Sequence, residues 1–256
     1  MAPCSTTSRP RSRGRLVGKT LAVLLALLVA GGGLLYALAG FFDRDPVHFF
    51  AANNPNSTYV ALYLSGDMGL RFGIGSYVSV ALSAHGIPVY GLNSPTAFAT
   101  RQTRAQLDEI VAKAAREALA RTGATKLILI GQSFGADILQ TGLANFPETL
   151  RKQVAAVVLV VPGRAVYFRA DPTSIYYRGT PDSLGSTTGA RIDWVPLTCI
   201  YGAQEGDSLC PGLNQDNATV IRLPGGHFLR NDHVLLNRMI LAAIGSAAPG
   251  SIRWHR

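Results

Sequence analysis

Charge is scarce in this chain and cysteine scarcer. Of 256 residues only 15% are Asp, Glu, Lys or Arg, against 48% hydrophobic, and there are three cysteines. That balance points to a globular core plus a segment that enters a membrane, and the length suits one large α/β domain or two small ones. No P-loop, dinucleotide fingerprint or metal-ligand spacing occurs, so no cofactor and no metal site is expected. Internal repeats are absent, as is low-complexity sequence beyond a basic N-terminal tail.

A basic excess is missing where a nucleic-acid partner would need it. The formal net charge is +9, but Arg9, Arg11, Arg13, Arg15, Lys19 and Arg44 precede the globular part. Setting them and Asp43 aside leaves 18 basic against 14 acidic residues from Asp45 onward. The folded part is only mildly basic, which removes the motive for nucleic-acid binding.

What is present first is a basic tail (residues 1–19) and an uncharged run rich in Leu, Ala and Val (residues 20–42). That run has the length one helix needs to cross a bilayer. Cations lie before it, so by the positive-inside rule the N-terminus stays in the cytoplasm and the rest is exported. A cleaved signal peptide is the rival, because Ala37-Leu38-Ala39 resembles a small-residue cleavage site. The length of the run and its Gly31 to Gly33 interruption favour an uncleaved anchor. Either way the domain leaves the cytoplasm. Cys4 then stays on the reducing side as a free thiol, while Cys199 and Cys210 pair as a disulfide in an oxidising compartment, or are two separate buried thiols.

The rest of the chain is organised around Lys126 to Ile138. An apolar β-branched run enters Gly131-Gln132-Ser133-Phe134-Gly135, and a helical pattern follows directly. This is the strand, sharp turn and helix of a nucleophile elbow, which exposes the Ser133 hydroxyl, and the helix start behind it faces a developing oxyanion. A glycine-flanked serine in an ordinary βα turn is the plain alternative.

Residues 43–57 read as a linker or a first irregular strand, and residues 58–246 as the domain, with a short tail at 247–256. Strands are expected at 59–64, 87–92, 126–130, 154–161, 196–201 and 219–223. Helices are expected at 75–85, 103–121, 136–144 and 232–244. The alternation predicts a doubly wound, mostly parallel sheet of about six strands. Val154 to Val161 is apolar throughout, as a strand covered on both faces must be. Residues 162–192, with Pro172 and Pro181, break the rhythm as a lid-like insertion. The loop after the first strand, Ser65-Gly66-Asp67-Met68-Gly69, is placed to give one oxyanion N–H from Asp67 or Met68, the other coming from Phe134.

Serine needs a base and an acid in chain order. Of five histidines, only His227 lies in a loop between a last strand and a last helix, after Gly225-Gly226. For the acid, the loop after residues 196–201 offers Glu205 and Asp207, and spacing cannot separate them. A Cys199–Cys210 disulfide would clamp that loop.

Leu64-Ser65-Gly66-Asp67, the elbow, the Tyr201 to Cys210 loop and Gly225-Gly226-His227-Phe228 together resemble the VirJ/AcvB virulence-protein family of exported bacterial α/β hydrolases, over roughly residues 58–244. Met68 and Leu70 depart from the family's SGDGGW pattern. The resemblance implies a periplasmic, inner-membrane serine esterase that releases the amino acid from aminoacylated (lysyl-)phosphatidylglycerol, with a membrane phospholipid as partner substrate. It also implies support of a type IV secretion system, and a non-catalytic adaptor role there is the alternative. Within that reading, Arg164, Arg169, Arg178 and Arg191, interleaved with Tyr167, Phe168, Tyr176 and Tyr177, would meet lipid phosphate or form a solvated loop. Asp137, Asp207 or Asp67 would receive a lysyl ammonium group or serve as cap or loop acids, a role that suits Asp137 better, in the first turn of a helix.

Overall fold

A computed structural model describes residues 12–53, 57–71 and 74–253. The expectations for Cys4, for most of the basic tail, for Asn54 to Asn56 and for the last three residues lie outside the described residues. The first element is helix α1 (Ser12–Ala39). Leu16–Ala39 within it is long and apolar enough to cross a membrane, with a mean hydropathy of 2.4.

The domain is a seven-stranded sheet of β1 (Val47–Phe50), β2 (Tyr59–Leu64), β3 (Val89–Leu92), β4 (Lys126–Gln132), β5 (Val154–Val160), β8 (Leu197–Gly202) and β9 (Ala218–Leu223). The short strands β6 (Ala165–Val166) and β7 (Ser183–Leu184) form a separate antiparallel pair in the insertion. In the main sheet the order is β1-β3-β2-β4-β5-β8-β9. Only β1 is antiparallel, pairing with β3, while every other neighbouring pair is parallel. The sheet therefore has one strand more than the expected six or so. The extra strand is β1, in the stretch read as a linker or an irregular first strand.

The side-chain alternation of the strands divides the core in two. Val60, Leu62 and Leu64 of β2, with Leu127 and Leu129 of β4, face the layer of α4 (Arg104–Thr122) and α5 (Phe134–Leu143). Ala61 and Tyr63, with Ile128 and Ile130, face α2 (Ile74–Ala84) and α8 (His233–Ala247). Apolar residues from Leu127 to Ile130 of β4 and at every position of β5 are what burial on both faces requires. Truncating one of these side chains, for example Ile130→Ala, costs about 2–5 kcal/mol. The long α4 is fixed at its start by a capping box between Thr103 and Gln106 and stopped by Gly123 in the left-handed region, φ 69°. Small helices α3 (Ser94–Ala97), α6 (Glu148–Arg151) and α7 (Gly185–Gly189) complete the connections.

The strand order reverses between β2 and β4, because β3 lies on one side of β2 and β4 on the other. A crevice opens at such a switch point, beyond the carboxyl ends of the strands. The loop after β2 and the turn after β4 meet there, and they carry Gly66 to Gly69 and Ser133.

Candidate active site

Ser133 ends the central strand and caps α5 with φ 51° and ψ −124°, a backbone conformation rare for a residue with a side chain. The neighbouring glycines explain how the chain reaches it. A Cβ on Gly131 would sit 2.6 Å from the Ala136 Cα, and one on Gly135 would run into the carbonyls of Leu64 and Ser65. Strand and helix therefore cross more closely than any other residue allows, and the Ser133 hydroxyl projects into the crevice.

His227 reaches that hydroxyl from the β9–α8 connection. Its Nε2 lies 2.8 Å from Ser133 Oγ, and its Nδ1 lies 2.5 Å from Glu205 Oε1. The loop carrying His227 turns through Gly225, φ 98°, and then through Leu229, Arg230 and Asn231, all with positive φ. Three successive left-handed residues with side chains cost about 1–3 kcal/mol each, a strain that concentrates at functional loops. The loop of Glu205 is tied to the loop of His227 by backbone bonds. The Gln204 N–H donates to the Gly225 carbonyl at 2.8 Å and the Ala203 N–H to Leu223 at 2.8 Å. Glu205 is nearly sealed, with 3% of its side chain exposed, whereas His227 keeps 43%.

Cys199 and Cys210 form a disulfide that brackets this loop, with Cα atoms 5.5 Å apart. Asp207 lies in the same loop and lines the cavity, but its recorded bond is through its backbone, whose carbonyl accepts from the Arg164 N–H at 2.9 Å. The structure thus brings Ser133, His227 and Glu205 together and leaves Asp207 at the cavity wall.

The hydrogen bond that His227 donates to the Glu205 carboxylate holds the His227 pKa above its ordinary value of 6.5. Burial opposes this, and the charges of Glu205, Asp67 and Asp207 reinforce it. Burial drives the Asp137 carboxyl well up, further than the one Gly163 N–H it accepts at 2.7 Å brings it down, and the nearby carboxylates of Asp67, Asp207 and Glu205 add to the rise. Asp67 is also raised, again by burial, with the Tyr177 hydroxyl that donates to it at 3.1 Å pulling the other way.

The cavity above Ser133 measures about 730 Å³. Asp67, Met68, Phe134, Asp137, Arg164, Tyr167, Tyr177 and Arg178 line it. Arg169 is not among the lining residues. Its guanidinium instead lies 3.8 Å from the centre of the Tyr176 ring, and its Nε is buried without a hydrogen-bond partner. Arg191 is exposed and likewise outside the lining.

At the helix start, Ala136 and Asp137 N–H groups bond the Ser133 carbonyl, so the Phe134 N–H precedes the intrahelical ladder and is free to face the crevice. Gly66 stands against Ser133: a Cβ there would lie 3.5 Å from the serine Cβ. Among the described residues no cluster of three or more His, Cys, Asp or Glu is arranged to hold a metal ion.

Sequence reasoning missed the residues that hold the loop after β2. The Ser94 hydroxyl donates to the Ser65 carbonyl at 2.6 Å, the Ser94 N–H donates to Ser65 Oγ at 2.9 Å, and Asn93 Oδ1 accepts from the Leu70 N–H at 2.9 Å. In sequence Asn93-Ser94-Pro95 has only the composition of a turn, although buried polar residues at a strand end have to find partners.

Solved structures share the fold. The esterase domain from a Rhodothermus marinus protein superposes with a TM-score of 0.54 at 15% identity, covering 77% of this chain and 91% of that one. Dienelactone hydrolase from Anabaena variabilis gives 0.55 at 13% identity, with 78% and 90% covered. Both likenesses are to α/β-hydrolase folds. In sequence, the chain is similar to carboxylesterase Culp1 of Mycobacterium tuberculosis, 30% identical over 150 residues, which is 59% of this chain and 65% of that protein. The match therefore spans just under two thirds of that relative's length. The pattern of the family described as bacterial virulence protein (VirJ) matches residues 58–248, and the chain belongs to that family.

Proposed function

We propose that this chain is a serine esterase of the exported side of a bacterial inner membrane, facing the periplasm and held by α1, and that it hydrolyses the aminoacyl ester of aminoacylated phosphatidylglycerol, the lysyl form among them. The observation that carries the reading is the continuous contact from Ser133 Oγ to His227 Nε2, and from His227 Nδ1 to Glu205.

Ser133 Oγ attacks the ester carbonyl as its proton passes to His227 Nε2. Glu205 holds the imidazole in the tautomer with a free Nε2 and stabilises the imidazolium that forms. The oxyanion meets the Phe134 N–H and an N–H of the Asp67–Met68 turn. Collapse of the tetrahedral intermediate expels the glycerol hydroxyl, which takes the proton from His227, and leaves the aminoacyl group on Ser133. Water, deprotonated by the same imidazole, then releases the amino acid.

The substrate class rests on family membership and on the character of the cavity. Asp67, Asp137 and Asp207 give it a wall of carboxyl groups that an ammonium group would hold ionised, while Arg164 and Arg178 also stand on the lining and suit a phosphate. The test is a comparison of membrane lipids from cells carrying the native chain or Ser133→Ala. The native chain is expected to deplete lysyl-phosphatidylglycerol and release free lysine, and the variant to do neither. Undiminished lysine release by a folded Ser133→Ala protein overturns the reading.

A further inference from the structure

Several large apolar side chains left in water by the domain gather round one opening. Ile175 is 60% exposed, Tyr176 52% and Phe228 72%. Phe228 lines the cavity, as do Pro172, Ser174 and Arg178 from the insertion that carries Ile175 and Tyr176. Water-exposed apolar groups clustered at the mouth of a site mark a surface that is covered in use.

The same segment is fastened to the end of the apolar helix. Tyr36, one turn before α1 ends at Ala39, donates its hydroxyl to Asp171 Oδ1 at 3.1 Å. Asp171 in turn accepts from the Thr173 and Tyr176 N–H groups and so shapes the turn that displays Ile175. Two further bonds join the helix end to the carboxyl edge of the sheet: Asn93 Nδ2 donates to the Ala39 carbonyl at 3.2 Å and Thr96 Oγ1 to the Gly40 carbonyl at 2.6 Å. Residues 16–34 are exposed, whereas Leu35 to Ala37 are half-buried and Ala39 is buried against the domain. The domain therefore hangs from the last turn of the helix, with the insertion and the cavity mouth beside the point where apolar sequence gives way to polar. A tyrosine at that level, with further aromatic side chains and cations close by, is the composition of a membrane–water boundary. Arg178 is exposed at the mouth and suits phosphate oxygens of lipid headgroups. Arg169 stacks on the Tyr176 ring with its Nε buried.

We infer that the face formed by Ile175, Tyr176 and Phe228 is the surface on which the domain rests against the phospholipid bilayer that α1 crosses, so that the cavity opens into the headgroup layer rather than into water. The inference rests on the proposed reading of α1 as a membrane span. It adds that the helix end orients the domain as well as tethering it: a substrate lipid enters sideways from the leaflet, with its acyl chains still in the membrane.

The experiment places spin labels in the full chain, reconstituted in phosphatidylglycerol vesicles on a Cys4→Ser background. The labelled positions are Ile175→Cys, Phe228→Cys, Leu28→Cys and, on the edge strand β9, Val220→Cys. Collisions with oxygen, which concentrates in lipid, are compared with collisions with a water-soluble nickel chelate. Leu28 is expected deep in the bilayer, positions 175 and 228 shallow in it with an oxygen-to-nickel ratio severalfold above that of position 220. Positions 175 and 228 as open to nickel as 220, with Leu28 in lipid, overturn the docking face and leave the anchor standing. An aqueous Leu28 removes the anchor and this inference with it. A second arm compares Ile175→Ser with the native chain on a vesicle-borne ester and on a short soluble ester. A severalfold loss confined to the vesicle substrate supports the docking face, and equal losses on both substrates contradict it.

Discussion

Glu205 and His227 meet across two loops, Oε1 to Nδ1 at 2.5 Å, although 22 residues separate them. Asp207 lies two residues from Glu205 yet contributes only its backbone carbonyl to a recorded bond. The two carboxylates should therefore respond differently to neutralisation. Glu205→Gln leaves the shape and removes the charge that stabilises the imidazolium, and kcat is expected to fall by roughly 10³ to 10⁴. Asp207→Asn is expected to keep kcat within about tenfold, since it removes a charge that acts only at a distance. Steady-state kinetics on one soluble ester checks both.

The pH profile follows from the same pair. The reacting form of His227 is the neutral imidazole, and its pKa is held above 6.5, first by the Glu205 hydrogen bond. Activity is therefore lost as pH falls through that raised value, and the acid limb of kcat/KM lies above that of an unperturbed imidazole. In Glu205→Gln the limb should move to lower pH. The stability linked to the raised pKa runs the opposite way: it is full at low pH and fades as pH rises through the folded value. With 43% of the ring exposed, solvent screens that contribution.

The disulfide closes a loop of sequence separation 11 around Glu205. A loop that short restricts the unfolded chain by about 2–3 kcal/mol, so Cys199→Ala with Cys210→Ala should lower stability by about that amount in a denaturant titration. A fall in kcat with little change in KM is also expected, because the loop that orients the imidazole loses its clamp.

Some of this architecture is written locally, and some is not. The elbow is legible because glycine at 131 and 135 is a steric demand of the crossing itself, and β4 and β5 are legible because strands buried on both faces carry apolar residues throughout. Strand β1 reads in sequence only as a linker or an irregular first strand, because four residues, Val47 to Phe50, on a sheet edge give too short a period, and Asn and Pro residues follow closely. The acid could not be chosen from spacing. Glu205 and Asp207 share one loop, and the choice depends on how that loop is hydrogen-bonded to Gly225 and Leu223, a contact between distant segments. Arg169 looked like a partner for phosphate inside the site because only its position in the insertion could be read, whereas stacking on Tyr176 keeps it off the cavity wall. Tyr36 was invisible inside an apolar helix, since its partner Asp171 lies 135 residues away.

Asp137 tests the chemistry of the cavity. Its half-buried carboxyl is already satisfied on one oxygen by the Gly163 N–H, and its pKa is raised by desolvation and by neighbouring carboxylates. A cationic group entering the cavity stabilises its ionised form. Asp137→Asn keeps the acceptor for Gly163, and should raise KM for a lysyl ester by about tenfold, the worth of one partly buried charge pair, while leaving an ester of an uncharged acyl group unaffected. Equal effects on the two esters would place Asp137 among structural residues instead.

The most direct test of the account is covalent labelling of the intact chain with a fluorophosphonate, followed by mass measurement and peptide mapping. The account predicts a single adduct on Ser133, abolished in Ser133→Ala and slowed by orders of magnitude in His227→Ala. No adduct on the native chain, or labelling that persists in Ser133→Ala, contradicts it.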